Sequence, residues 1–246
     1  MRFISEEVSA MKVRIKFSKH GSMKFIGHLD IMRYFQKAMR RADVAICYSG
    51  GFSPHQIMSF AAPLGVGITS NGEYMDIETE DTENLSTMKE RLNSVMAEGI
   101  QIRRVIKLPD SAANAMSIVA AADYTLTFRA GYQPESPAQW MKSIEEFFRQ
   151  DQILITKKTK KGQKELDLKP LVYEIRAEGE TLFLKISTGS SENIKPELVL
   201  DAYYGHLGQE RPPFAFQVQR EEVYAKAPEN ASVPFLTLEE LGESIE

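Results

Sequence analysis

The chain has one cysteine, Cys47, in 246 residues. That excludes a disulfide within the chain and any cysteine-based zinc or iron–sulfur site within it. Long apolar runs are also missing. None approaches the ~20 residues that a membrane-spanning helix needs. Residues 1–10 carry Arg2, Glu6 and Glu7 and lack the apolar core of a secretion signal; they read as a frayed tail or start-site extension before Met11. A cytoplasmic location without membrane contact is the expectation. Histidine is scarce, four residues in all, and no HxxxH or HExxH spacing occurs, so no metal site is expected. Neither the dinucleotide glycine fingerprint nor a P-loop is present, and no cofactor is expected. No Ser-His-Asp arrangement can be read from spacing.

Basic residues are absent from one stretch. Between Pro228 and Glu246 there are five acids (Glu229, Glu239, Glu240, Glu243 and Glu246) and no Lys or Arg. This segment accounts for the net charge of −4. The rest of the chain is close to neutral and can still carry a basic face, because clustering rather than the total attracts phosphates. With 43% hydrophobic and 26% charged residues the composition is that of a soluble globular protein. The length allows one large domain or two small ones.

The most informative stretch runs from Gly50 through Phe52, Ser53, Pro54, His55, Ile57, Met58 and Phe60 to Pro63, Gly65 and Gly67. It is dense in glycine and proline yet keeps much apolar surface. Ordinary surface loops rarely combine the two, so a shaped, partly buried loop over residues 49–72 is expected. Gly51, Phe52, Ser53, Pro54 and His55 are the candidates there for holding a substrate or docking a partner.

Periodicity sets the architecture. Lys12 to Ser18 alternates Val13, Ile15 and Phe17 with Lys12, Arg14 and Lys16, a half-buried strand. His28 to Ala42 is a helix with Ile31, Phe35, Ala38 and Ala42 inward and Asp30 as a candidate cap. Val44 to Tyr48 and Glu73 to Glu80 read as strands. Asn84 to Glu98 reads as a helix stopped by Gly99, and Ile100 to Leu108 as a strand. The order β-α-β-β-α-β is that of a ferredoxin-like domain over residues 11–108. An alanine-rich connecting helix over 109–122 follows, and the pattern recurs over 123–227. There the strands are Tyr124 to Arg129, Ile153 to Lys158, Thr181 to Thr188 and Phe214 to Tyr224. Lys169 to Ala177 reads as an added strand. The helices are Ser136 to Phe148, with proline in the first turn, and Pro196 to Leu207. Two tandem ferredoxin-like domains, an α+β fold with the second elaborated, are therefore expected. Residues 228–246 read as a solvated acidic tail, in which Phe235, Leu236, Leu238 and Leu241 could dock a short helix.

Two features suit an anionic polymer. Arg33, Lys37 and Arg40, with Arg41 adjacent, share the helix face opposite its apolar stripe. The same stripe would also serve as a solvated exterior. Lys157, Lys158, Lys160, Lys161 and Lys164 fall in an acid-free run that reads as the tip of a hairpin leaving near Ile153 and returning at Glu165 to Leu168. Each ammonium can neutralise a phosphate without demanding geometry, although such a loop can also be merely solubilising. His28 and His55 are the candidate acid–base residues, or else hydrogen-bonded loop anchors. His206 reads as a helix cap, and Trp140 as a core or domain-junction residue.

Several segments together carry a resemblance: Phe17-Ser18-Lys19-His20-Gly21, Phe25-Ile26-Gly27-His28-Leu29-Asp30, Arg40-Arg41-Ala42, the run from Tyr48 to Gly67, Ala120-Ala121-Ala122-Asp123-Tyr124, Lys160-Lys161-Gly162 and Asp167-Leu168-Lys169-Pro170. Over about residues 11–225 the chain resembles the radical-SAM-associated bacterial family of unknown function. Members are encoded beside, or fused to, a radical SAM protein, often near ribonuclease and ribosomal protein genes. The resemblance implies a radical SAM protein and RNA as partners. With one cysteine this chain would be the companion rather than the radical enzyme. The family brings no catalytic residues to carry over. The first expectation is an RNA-binding accessory protein in tRNA or rRNA modification or processing. The tandem layout also resembles CRISPR RNA-processing endonucleases, which leaves a metal-independent nuclease open, with His28 or His55 as base. A third reading is a module that docks the radical SAM partner without RNA contact.

Overall fold

The computed structural model describes residues 10–159, 162–189 and 192–245. Of the expected extension at residues 1–10, Ala10 opens the first strand and the rest lies outside the described residues, as do the candidates Lys160 and Lys161. In chain order the elements are β1 (Ala10–Lys19), α1 (His28–Arg41), β2 (Met58–Phe60), β3 (Thr69–Glu80), α2 (Leu85–Ser94), β4 (Ile100–Lys107), the one-turn α3 (Ala115–Ile118), β5 (Val119–Phe128), α4 (Pro137–Phe147), β6 (Leu154–Thr159), β7 (Gly162–Asp167), β8 (Val172–Glu178), β9 (Thr181–Ser187), α5 (Pro196–His206), β10 (Phe216–Lys226), β11 (Phe235–Thr237) and β12 (Glu243–Ile245). The protein is mixed α/β, with mostly antiparallel sheet and few helices. No described helix is long and apolar enough to cross a membrane. Contacts divide the chain into two units, Met1–Val119 with Ala225–Glu246, and Ala120–Tyr224.

In the first unit the strand order is β12-β4-β1-β3, with β2 against β3. β1 pairs antiparallel with β3 (Val13↔Ile77) and with β4 (Val13↔Lys107). Its apolar side faces α1, whose Ile31, Phe35, Ala38 and Met39 are buried. Phe35 is the hub, with Phe17 at 4.8 Å and Phe60 at 5.8 Å between ring centres. In the second unit the order is β10-β5-β9-β8. Leu126, Leu182, Leu184 and Ile186 pack there with Met141, Ile144, Val199 and Leu200 of α4 and α5, all fully buried. Trp140 joins this unit's core, 5.0 Å from both Phe128 and Tyr203.

Several local expectations need correction. Val44 to Tyr48 forms two isolated bridges, Ile46↔Thr79 and Tyr48↔Gln56, while the strand is Met58–Phe60 inside the Gly/Pro loop. α2 ends at Ser94 rather than Glu98. Gly99 instead takes φ +92 where a Cβ would lie 2.5 Å from the His20 carbonyl oxygen. The connecting helix is one turn, capped by Asn114, whose side chain accepts the Met116 N–H. α1 is capped by the Gly27 backbone, and Asp30 sits in its first turn. In the second unit the roles of two segments are exchanged: β8 is the sheet strand, and β6–β7 is a hairpin forming its own two-stranded sheet.

The acidic tail does not stay in solvent: it docks through a single 3-10 turn, Leu238–Leu241, as its apolar residues allowed. Lys12, Arg14 and Lys16 alternate to the side of β1 that was expected to face solvent, and Arg14 is fully buried there. Its guanidinium holds Asp76 through two bonds, of 2.7 and 3.0 Å, and donates to the Leu238 carbonyl at 3.0 Å. Lys16 meets Glu239 at 2.7 Å, and β12 pairs with β4. Unlike opposite charges left in water, this seam is anchored by apolar burial, since Leu238 is fully enclosed. Leu238→Ala is therefore expected to cost about 2–5 kcal/mol, read as a lower denaturant midpoint. An unchanged midpoint would mean that the tail is solvated after all.

Candidate functional site

α1 presents its basic stripe to solvent. Its buried face recurs at three- and four-residue spacing, which leaves Arg33, Lys37, Arg40 and Arg41 exposed on the other side. Arg33 lies 3.2 Å from Asp30, a pair that is two-thirds exposed at both ends and so contributes little. Arg40 donates to the Gln36 carbonyl at 3.4 Å and Arg41 to the Val95 carbonyl at 3.2 Å. Among the described residues, Arg33 alone of the four meets a carboxylate. At 1.5 Å per residue the stripe from Arg33 to Arg41 runs for about 12 Å along the helix. Its entrance is apolar and exposed at Phe25, Leu29 and Val66, with the Lys24 ammonium 5.2 Å from the centre of the Phe25 ring.

The Gly/Pro loop has a clasped base. Ser49 N–H donates to the His55 carbonyl at 2.8 Å, and His55 N–H donates to Ser49 Oγ at 3.1 Å. Ser49 Oγ also lies 2.8 Å from His55 Nδ1. A hydroxyl has two acceptor sites, so that oxygen can take the backbone N–H and still either donate to Nδ1 or accept from it, according to the imidazole tautomer. Gly51 takes φ +96, which favours glycine, and Ser53 and Pro54 are exposed. Phe52 stands fully exposed at the tip. The clasp borders a cleft of about 400 Å³ lined by Ser49, His55, Ile57, Ser59, Glu78 and Asn114, among others. Cys47 lies nearby in sequence; burial, then Glu78 and Glu80, push its thiol pKa up, so the thiolate is disfavoured.

His28 does not join His55. Its ring stands edge-on to Phe60 at 5.4 Å, and it does not line that cleft. Among the described residues the two histidines share neither a hydrogen bond nor a ring contact. His20 is held by Asn71 at 3.0 Å.

In the second unit the lysine run does form a hairpin, paired from Leu154↔Asp167 to Thr159↔Gly162, with Lys157 and Lys158 on β6. Its base is clasped by Asp167 Oδ1, which accepts the N–H groups of Ile153 and Lys169, both at 3.0 Å. These two bonds hold the Asp167 carboxyl below the usual carboxylate range. Beside the hairpin is a groove of about 590 Å³ between β6 and α5. Sequence reasoning missed it, because His206 read as a cap. In fact His206 is the last residue of α5, and its ring lies 4.8 Å from that of Phe147 at the end of α4. The available signal was the pair of aromatic side chains ending both helices of one unit.

Residues 12–196 match a bacterial family described as uncharacterised protein conserved in bacteria (DUF2344), and the chain belongs to that family. No curated protein matches it. Among solved structures the chain is similar to an unknown protein from Galdieria sulphuraria, with 9% identity, a TM-score of 0.27, and 87% of this chain and 98% of that chain covered.

Because the folded Asp167 pKa is lowered, the clasp is intact above the usual carboxylate range and is lost as pH falls through the lowered value. Hydrogen-exchange protection at the Ile153 and Lys169 amides should fall over that acidic window. Asp167→Ala should reproduce the loss at neutral pH. Protection that is insensitive to both would remove Asp167 from this role.

Proposed function

We propose that the chain is an RNA-binding accessory protein working with a separate radical SAM enzyme in tRNA or rRNA modification or processing. The observation that carries the reading is the exposed arginine and lysine stripe on α1, three of whose four charges meet no carboxylate among the described residues. A row of uncompensated cations on a rigid helix suits a phosphate backbone, and arginine adds the fork geometry that fits phosphate oxygens. Lys157 and Lys158, on the β6–β7 hairpin, add a second candidate contact on the other unit. Strand orders β4-β1-β3 with β2 against β3, and β10-β5-β9-β8, support two ferredoxin-like units, a layout compatible with RNA contact. The radical SAM partnership rests on the family resemblance. A chain with one cysteine leaves the three-cysteine cluster site to that partner.

Purified protein should bind RNA with a steep salt dependence. Combining Arg33→Glu, Lys37→Glu and Arg40→Glu should weaken binding at low salt and reduce the slope of log K against log salt by about 0.7–0.9 per lost phosphate contact. An unchanged slope would take α1 out of the interface. Absence of RNA affinity at low salt, with and without the partner, would end the reading.

A second reading has its own observation. The fully exposed Phe52, held out by the Ser49–His55 clasp, is a ready anchor for a protein partner. Phe52→Ala should then abolish copurification of the radical SAM protein even after nuclease treatment. The nuclease alternative gives His55 a general-base role. If it holds, His55→Ala loses cleavage of total RNA while keeping binding, and equal products from both proteins would exclude it.

A further inference from the structure

We infer that the groove between β6 and α5 is a nucleobase pocket, and that the RNA bound by this protein is single-stranded where it crosses the second unit. The inference rests on the RNA reading above and adds to it which form of RNA is bound and where a base sits.

The groove is built from one helix face and one strand. Leu198, Ala202 and Gly205 recur along α5 at four- and three-residue spacing, so the same face turns toward it throughout. Ala202 and Gly205 are small, which keeps it wide. Across from them Leu154 on β6 is half exposed, leaving apolar surface without cover. At one end the Phe147 and His206 rings stack at 4.8 Å with 35° between their planes, and Tyr203 lies behind Phe147 at 5.6 Å. A slot that mixes apolar side chains such as Leu154 and Leu198 with polar ones such as Gln152 and Thr156, and that has an aromatic end wall, suits a flat heterocycle with polar edges, and about 590 Å³ falls in the size range of small-ligand sites.

Charge selects the kind of heterocycle. Asp201 lines the groove, but Arg211 holds its carboxylate at 2.6 Å, which removes the repulsion that a phosphate would otherwise meet. Thr156 lies on the strand wall, and Lys157 and Lys158 follow it directly, within a run of five lysines and no acid. A base seated in the groove would therefore have a neighbouring phosphate near the strand on which Lys157 and Lys158 follow Thr156 in sequence. Gln150, whose Nε2 donates to the Phe147 carbonyl at 2.9 Å, keeps its amide oxygen for a base edge. A paired duplex keeps its bases stacked inside and cannot insert one, whereas a single strand can.

Gly205 provides a clean test. A Cβ there meets nothing within 4 Å and its φ is not positive, so Gly205→Leu fills the groove without strain in a helix that favours leucine over glycine. Fluorescently labelled single-stranded RNA and a duplex of equal length would be titrated against the full chain, wild type and variant, with melting temperatures as the folding check. The expected result is a preference for single strand of about tenfold or more in the wild type. Gly205→Leu should erase that preference while leaving duplex affinity and melting temperature intact, and His206→Ala should reduce it. If wild type binds RNA but prefers neither form, or Gly205→Leu keeps the preference, the pocket is overturned and the RNA reading stands. If wild type binds neither RNA at low salt, both fall.

Discussion

A guanidinium without access to water organises the first unit. Removing such a cation from solvent costs several kcal/mol unless hydrogen bonds replace its hydration. Arg14 satisfies that need through Asp76 on β3 and the Leu238 carbonyl of the returning tail. Asp76 in turn accepts the Ala115 N–H at 2.7 Å, which pins the start of α3. One side chain on β1 thus ties together a neighbouring strand, the link toward the second unit and the last segment of the chain. Lys16 with Glu239 extends the same seam.

That seam explains where sequence reading stopped. Alternation in Lys12 to Ser18 identified β1 and its apolar side, because side chains two apart share a face. It could not say that the charged side would also be covered, since the covering segment is more than 200 residues away. α1 was legible almost to the residue, with its apolar repeat and basic face both set by local period. Val44 to Tyr48 has β-type composition but makes only two bridges, while Met58 to Phe60 is a strand that Gly and Pro on either side disguise. In the second unit two strand-like segments competed for one place in the sheet, and pattern alone could not rank them. Lys157 and Lys158 fit a separate two-stranded hairpin better than a central strand, where adjacent lysines would be costly to bury.

The candidate site divides the same way. The α1 stripe and the lysine hairpin are runs in sequence and were visible as such. The Ser49–His55 clasp and the β6–α5 groove require residues brought together by the fold. The two basic features also differ in chemistry. Two of the α1 cations closest to its end are arginines held by backbone carbonyls, which restricts their forks, whereas the cations of the hairpin sequence are all lysines, a residue type whose ammonium is a point charge without a fork. The first suits registration of a backbone, the second tolerance of varied phosphate positions.

The return of Ala225–Glu246 to the first unit has a consequence for biosynthesis. On the ribosome, β1 emerges with Arg14 long before the carbonyl that completes its shell. The opening unit must wait, unfinished, while every residue of the second is translated. A fragment cut to residues 12–196, the span shared with the family, would leave β4 with an open edge and Arg14 short of an acceptor, so expression trials that trim to that span would be working with an incomplete fold.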